Sequence, residues 1–176
     1  FPRATLICGD ITDAKDWAKV EAAVQKMGGV DVFIVAIPCQ PSSNANPHRK
    51  QDDSRNAVAI RAVQLGCALT PRLFILEDVP GFEHNQSCTY KQVMSDLRDH
   101  YPESKGGQVR SFKVNAQLAM VASARRRLFV MASIEIDLDP TAILLEAQRA
   151  HARTPGVRTH PTIREALAPW RSMRSV

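Results

Sequence analysis

The sequence predicts an α/β fold with a mostly parallel sheet, and three observations carry that prediction. Apolar, β-branched runs such as residues 31–37 show little polar alternation, as strands buried on both faces do. Segments with three- and four-residue apolar spacing lie between those runs, in the order strand, helix, strand, helix, strand. Finally, residues able to do chemistry fall where the apolar runs end: Asp10, Cys39 and Glu77. In open α/β sheets ligands bind outside the carboxyl ends of the strands.

The elements follow in order. Residues 4–8 form a short apolar run closed by Gly9-Asp10, expected as a strand. Trp17, Val20, Val24 and Met27 recur at helical spacing, and Gly28-Gly29 supplies the C-cap. Residues 31–37 form the next strand, and 38–55 a polar loop rich in Pro, Ser, Asn and Asp. Loops of that length in small domains are often functional. A helix is expected over 54–66 and a strand over 73–76. Tyr90, Val93, Met94 and Leu97 mark a further helix, stopped by Pro102. Lys105-Gly106-Gly107 is a turn, 111–118 and 128–134 are strands, and 141–152 is a helix. A short helix is expected over 163–167, and no internal repeat is present.

Composition narrows the class. The chain has 176 residues, 44% hydrophobic and 23% charged, enough for one domain with its own core. No run approaches the roughly 18–20 apolar residues of a membrane helix. Phe1 is not a natural start, so more chain is expected upstream. The net charge of +5 and pI near 9.3 suit a polyanionic partner. Cys8, Cys39, Cys67 and Cys88 form no CxxC pair and no metal-ligand spacing with histidine. They are expected to be free thiols of an intracellular protein, in the nucleus of a eukaryote or the cytoplasm of a bacterium. Cys67 is expected to be a buried apolar residue.

Cys39 differs from the other three. It follows Pro38 and precedes Gln40-Pro41, where a buried strand gives way to a polar loop. A nucleophilic thiol has to be reachable and partly deprotonated, and His48, Arg49, Lys50 and Arg55 lie nearby in sequence. Glu77 closes an apolar strand, where a carboxyl can hold a proton near neutral pH. It can equally be an ordinary solvated acid. Arg125-Arg126-Arg127 precedes Leu128-Phe129-Val130. If that strand runs antiparallel to the others, its guanidiniums start on the edge that carries Cys39 and Glu77.

These residues resemble a known family. The stretch ending in Pro38-Cys39-Gln40-Pro41-Ser42-Ser43 resembles the Pro-Cys-Gln motif of cytosine-C5 DNA methyltransferases. Asp53-Ser54-Arg55 resembles the Asp-x-Arg that follows it, and Glu77-Asp78-Val79 the Glu-Asn-Val motif. Val114-Asn115-Ala116 and Arg125-Arg126-Arg127 resemble the Leu-Asn-Ala and Gln-x-Arg-x-Arg segments. Gly9-Asp10-Ile11 resembles the segment whose acid meets the adenine of S-adenosylmethionine. The motifs stand in family order. The resemblance implies a Rossmann-like, S-adenosylmethionine-dependent methyltransferase sheet, mostly parallel with an antiparallel strand, and incomplete. It implies methyl transfer to C5 of a cytosine flipped out of double-stranded DNA. Cys39 would be the thiolate that adds at C6, and Glu77 the group that protonates or hydrogen-bonds N3. Arg127 would contact O2, with Arg125 beside it. Asp10, Ile11 and Pro38 would meet the cofactor. Gln40, Ser43 and Arg55 would meet the nucleic acid, within a loop over 41–55 that closes on the base.

Departures from the family pattern are also legible. Ala36-Ile37 replaces the Gly before the Pro-Cys-Gln motif, and Ser42 the Phe after it. Asp78 replaces the Asn of Glu-Asn-Val, which in the family supports the nucleophile's loop. Ser123 replaces the Gln of the arginine motif, and Met120 and Ala122 the Gly and Pro before it. The Gly-rich cofactor turn has no counterpart here. Residues 1–135 are therefore expected to form the catalytic core, and 136–176 a helical segment leading to a target-recognition domain. A further chain segment or a partner subunit would supply the rest. Three alternatives stay open: an RNA cytosine-C5 methyltransferase of the same family, a non-catalytic nucleic-acid-binding homologue, and an unrelated Cys–His hydrolase.

Overall fold

Helix α1 (Ala14–Met27) begins where Asp13 can cap it. The Asp13 carboxylate accepts from the backbone N–H of Lys15 at 2.7 Å and of Asp16 at 3.4 Å. It ends at Gly28, which takes the left-handed φ of 85°. The chain then enters β1 (Val32–Ala36), α2 (Asn56–Ala68) and β2 (Leu73–Asp78). A single turn, α3 (Gly81–His84), precedes α4 (Cys88–His100) and a 3-10 turn at Glu103–Lys105. Then come β3 (Gln108–Asn115), β4 (Arg126–Ser133) and α5 (Pro140–Ala152). This computed structural model describes residues 4–42, 54–84, 88–116 and 125–152, with His84 and 150–152 described by backbone alone. Ser43, residues 44–53, Ser123 and the short helix expected over 163–167 lie outside the described residues.

The four strands form one sheet in the order β1-β2-β4-β3. β1 and β2 are parallel, and β4 is antiparallel to both of its neighbours. Three strands therefore point one way and β4 the other, so one pairing is parallel and two are antiparallel, where a mostly parallel sheet with an antiparallel strand was expected. One face is buried. Phe74 and Leu76 of β2 and Leu128, Val130 and Ala132 of β4 pack with Ala62 and Val63 of α2 and Val93 and Leu97 of α4. These side chains are fully buried, and each Phe, Leu or Val among them is worth about 1.5–3 kcal/mol of apolar transfer. Gly66 lets α2 come close to the sheet. A β-carbon there would sit 2.5 Å from the Phe74 ring and 2.6 Å from Phe33. Those rings stack at 5.3 Å.

Two expectations need correction. Residues 4–8 form no strand; Leu6 is 87% exposed, because no described strand lies beside the segment to pair its backbone. Nor is β1 buried on both faces. It is an edge strand whose alternate residues Val32 and Ile34 are 46% and 67% exposed. A β-branched run marks a strand but does not say that both of its faces are covered.

Candidate active site

β2 runs two residues further than its apolar core suggests, so Glu77 and Asp78 are inside the strand. Alternation then sends them to opposite faces. Glu77 shares the open face with Ala36 and Phe129, its register partners on β1 and β4. Arg127 stands two residues before Phe129, on the diagonal, and its Nε meets Glu77 Oε1 at 2.6 Å. Both side chains are about three-quarters buried or more, which strengthens the pair above a surface ion pair. The Arg127 Nη1 also donates to the Arg126 carbonyl at 2.7 Å. The antiparallel course of β4 is what brings this guanidinium to the carboxyl end of β2.

Cys39 lies at the same edge. The Ile37 N–H donates to the Glu77 carbonyl at 3.4 Å, which ties the end of β1 to β2. A turn follows, closed by the Ser42 N–H on the Cys39 carbonyl at 3.1 Å. Pro41 and Ser42 are buried beneath it, while Cys39 and Gln40 are exposed at its tip and Pro38 is half-buried. A hydrogen-bonded turn with an exposed thiol at its tip suits a nucleophile, which has to be reachable. Cys67 shows the opposite environment: burial, aided by Asp96, pushes its thiol up to about 11, so it stays protonated. All four cysteines are free thiols.

The other expected residues divide. Arg125 is exposed one residue before β4, its carbonyl accepting from Ala116 at 2.9 Å. Arg55 is exposed at the start of α2, two residues after the undescribed part of the loop. Asp10 and Ile11 line a pocket of about 190 Å³, with Ile7, Gly9, Asp16 and Trp17. Asp10 Oδ1 accepts from the Thr12 hydroxyl at 2.7 Å and its N–H at 2.8 Å, which hold its carboxyl below the usual range. The Asp10 N–H donates to Asp16 at 2.9 Å. The buried indole N–H of Trp17 has no hydrogen-bond partner among the described residues. Apolar walls, a carboxylate and an unmet donor fit the flat, amine-bearing ring of an adenosyl group.

Two features escaped the sequence reading. Trp17 and Asp16 were visible as the first turn of a helix, but nothing in their spacing ties them to Asp10. Asp78 stood out as a departure from the family's Asn, but its burial went unread. Phe74, Leu76 and Asp78 alternate, so the acid follows two core residues onto the buried face. It is 1% exposed, and burial pushes its carboxyl up to about 7, with the charge of Glu77 adding to the shift and the Val79 N–H opposing it. The acid held near neutrality by burial is therefore Asp78.

The fold and this edge define a methyltransferase-type α/β domain. A methyltransferase encoded within a prophage of E. coli shares it with a TM-score of 0.61 at 21% identity, over 95% of this chain and 42% of that one. The Entamoeba histolytica methyltransferase EhMeth gives 0.55 at 16% identity, over 78% and 40%. The profile of C-5 cytosine-specific DNA methylases matches residues 1–167, and the chain belongs to that family. The Type II methyltransferase M1.BsuMI of Bacillus subtilis is 31% identical over 108 residues, covering 61% of this chain and 24% of that protein. M.XorII of Xanthomonas oryzae pv. oryzae is 28% identical over 133 residues, covering 74% and 30%. The chain thus spans a quarter to a third of the length of these curated relatives.

Proposed function

We propose that the protein is a DNA cytosine-5 methyltransferase in which Cys39 is the nucleophile and Glu77 and Arg127 hold the base. The observation that carries this is the Glu77–Arg127 pair, 2.6 Å apart at the strand edge that also ends in Cys39. N3 and O2 are neighbours on the cytosine ring, so one base edge meets a carboxyl and a guanidinium standing side by side. Family membership and the Type II methyltransferase relatives support DNA as the substrate.

C5 of cytosine is a poor nucleophile, and the chain's residues remedy that. The Cys39 thiolate adds to C6, the C5–C6 double bond opens, and the ring becomes an enamine nucleophilic at C5. A proton or hydrogen bond at N3 from Glu77, with Arg127 on O2, stabilises the electron density moved onto the ring. S-adenosylmethionine, when bound, supplies the electrophilic methyl group for C5. Loss of the C5 proton then restores the double bond and expels the Cys39 thiolate. Asp10 and Ile11 would hold the adenosyl end of the cofactor in their pocket, and Pro38 would meet the cofactor as well. Gln40, Ser43 and Arg55 would contact the nucleic acid, and Arg125 would stand beside Arg127 in the catalytic set. Residues 1–135 would be the catalytic core, with 136–176 leading toward a recognition segment supplied by further chain or a partner subunit.

The test is trapping on duplex DNA that carries 5-fluorocytosine, with S-adenosylmethionine present. Fluorine at C5 blocks the final elimination, so the protein should remain bonded to DNA, and Cys39→Ser should abolish the adduct. An adduct formed on tRNA and not on DNA would overturn the DNA assignment. No adduct on either, in a folded protein, would leave a nucleic-acid-binding homologue without catalysis.

A further inference from the structure

Asp78 takes no part in the chemistry above, yet it stands beside it. It ends β2 on the covered face, opposite Leu128 of β4 and one residue beyond the Ala36–Glu77 pairing. Its Oδ1 accepts from the Val79 N–H at 2.7 Å. Its Oδ2 is buried and has no hydrogen-bond partner among the described residues. An ionised carboxylate in that position would leave charge on an oxygen that neither solvent nor protein satisfies.

The charged groups around it do not relieve this. Arg127, at the start of β4, is committed to Glu77 on the opposite face of the sheet. Lys113 of β3 shares the row of Asp78 and Leu128, two strands away, and bonds Glu83 of α3 at 2.7 Å. Glu77 and Glu83 are themselves acids. Tyr90 of α4 is turned edge-on to Phe82, 5.6 Å between ring centres.

We propose that Asp78 is a proton-gated positioning residue: as a neutral acid it adds no charge at the strand end, and on ionising it opposes the Cys39 thiolate. The route is short. The Glu77 carbonyl, in the peptide joining Glu77 to Asp78, accepts the Ile37 N–H, and Cys39 follows two residues later. Strand geometry puts Asp78 and Cys39 within about 10 Å. A second negative charge at that range disfavours a thiolate. The carboxyl's own midpoint, about 7, sets the pH at which the gate turns.

The inference deepens the proposed role of Cys39 and rests on it for its catalytic consequence, but its test does not need methyl transfer. The full chain is alkylated with iodoacetamide from about pH 6 to about pH 9, and modification of Cys39 is read by peptide mass spectrometry. Cys8 and Cys88, both exposed, are internal references. The Cys39 rate in Asp78→Asn relative to the unmodified sequence should be near one at about pH 6 and should rise to about 3 or more at about pH 8.5. The reference cysteines should show no such rise. A ratio independent of pH overturns the proposal. Should Asp78→Asn fail to fold, the pH profile of Cys39 alkylation in the unmodified protein decides: a rate that lags Cys8 and Cys88 above about pH 7 upholds the gate, and a profile parallel to theirs overturns it. A pH-dependent ratio in a protein that forms no adduct with fluorinated DNA or tRNA would sink the methyltransferase reading and leave the gate standing.

Discussion

Glu77 and Arg127 test the base-binding proposal most directly, because they make the same contact from two strands. Arg127→Ala leaves a largely buried carboxylate unpaired, at about 1–3 kcal/mol. Glu77→Gln keeps the shape but removes the negative charge and the exchangeable proton. If the pair serves the base, either variant should cut methyl transfer by 100-fold or more, about 2.7 kcal/mol of transition-state stabilisation. Chemical denaturation should show a much smaller change than activity. A variant that loses only stability would make the pair structural. Asp78 carries a separate stability prediction. Its folded value of about 7 lies above an ordinary 3.8, so between those values the folded state holds more protons than the unfolded chain. Its contribution is therefore complete below about pH 4 and lost as pH rises through 7. The loss amounts to at most about 4 kcal/mol. Denaturation at about pH 5 and pH 8 should show Asp78→Asn gaining on the unmodified sequence as pH rises, and an equal difference at both would contradict the raised value.

The elements themselves were largely legible in the sequence, and the exceptions have physical reasons. Trp17 to Met27 at helical spacing before Gly28-Gly29 mark α1, and Leu73 to Leu76 mark β2. What spacing cannot supply is the partner. Residues 4–8 have the composition of a strand but no neighbour among the described residues to complete a ladder. Val32 and Ile34 have the composition of core but face outward. Ile34→Thr, which keeps β-branching at an exposed position, should therefore shift the denaturation midpoint by well under 1 kcal/mol. The site was legible as three chemical residues at strand ends, and the antiparallel start of β4 places Arg127 against Glu77. Asp78 was legible as a departure from the family's Asn, and the period of two through Phe74 and Leu76 adds that it is buried. Gly66 gives the complementary prediction. Gly66→Ala gains about 0.5–1 kcal/mol of helix propensity in the middle of α2. Its β-carbon, however, would press on the Phe33 and Phe74 rings, and overpacking of that kind costs about 1–3 kcal/mol. A net loss of about 1–2 kcal/mol is expected by denaturation, and a gain would show that α2 can lift from the sheet.

Charge belongs to the molecule as a whole. The net charge is +5, with Lys and Arg numbering 23 against 18 acids. Many of the described cations are matched: Lys19 by Asp16, Arg72 by Glu135 and Asp31, Lys113 by Glu83, and Arg127 by Glu77. Arg55, at the start of α2, and Arg125 and Arg126, at the start of β4, are exposed near the ends of the segments that frame Cys39. If they face the phosphates of a duplex, binding should weaken linearly as the logarithm of salt rises, by about 0.9 in slope for each phosphate contacted. Arg55→Ala should lower the magnitude of that slope by about one and weaken binding to all sequences alike. Arg127→Ala, whose partner is Glu77 and whose proposed target is a base, should leave the slope nearly unchanged while abolishing the fluorocytosine adduct. That contrast separates residues that hold the backbone from residues that hold the base. Equal slopes for the unmodified sequence and Arg55→Ala would move Arg55 off the nucleic-acid surface, and a reduced slope for Arg127→Ala would move Arg127 onto it.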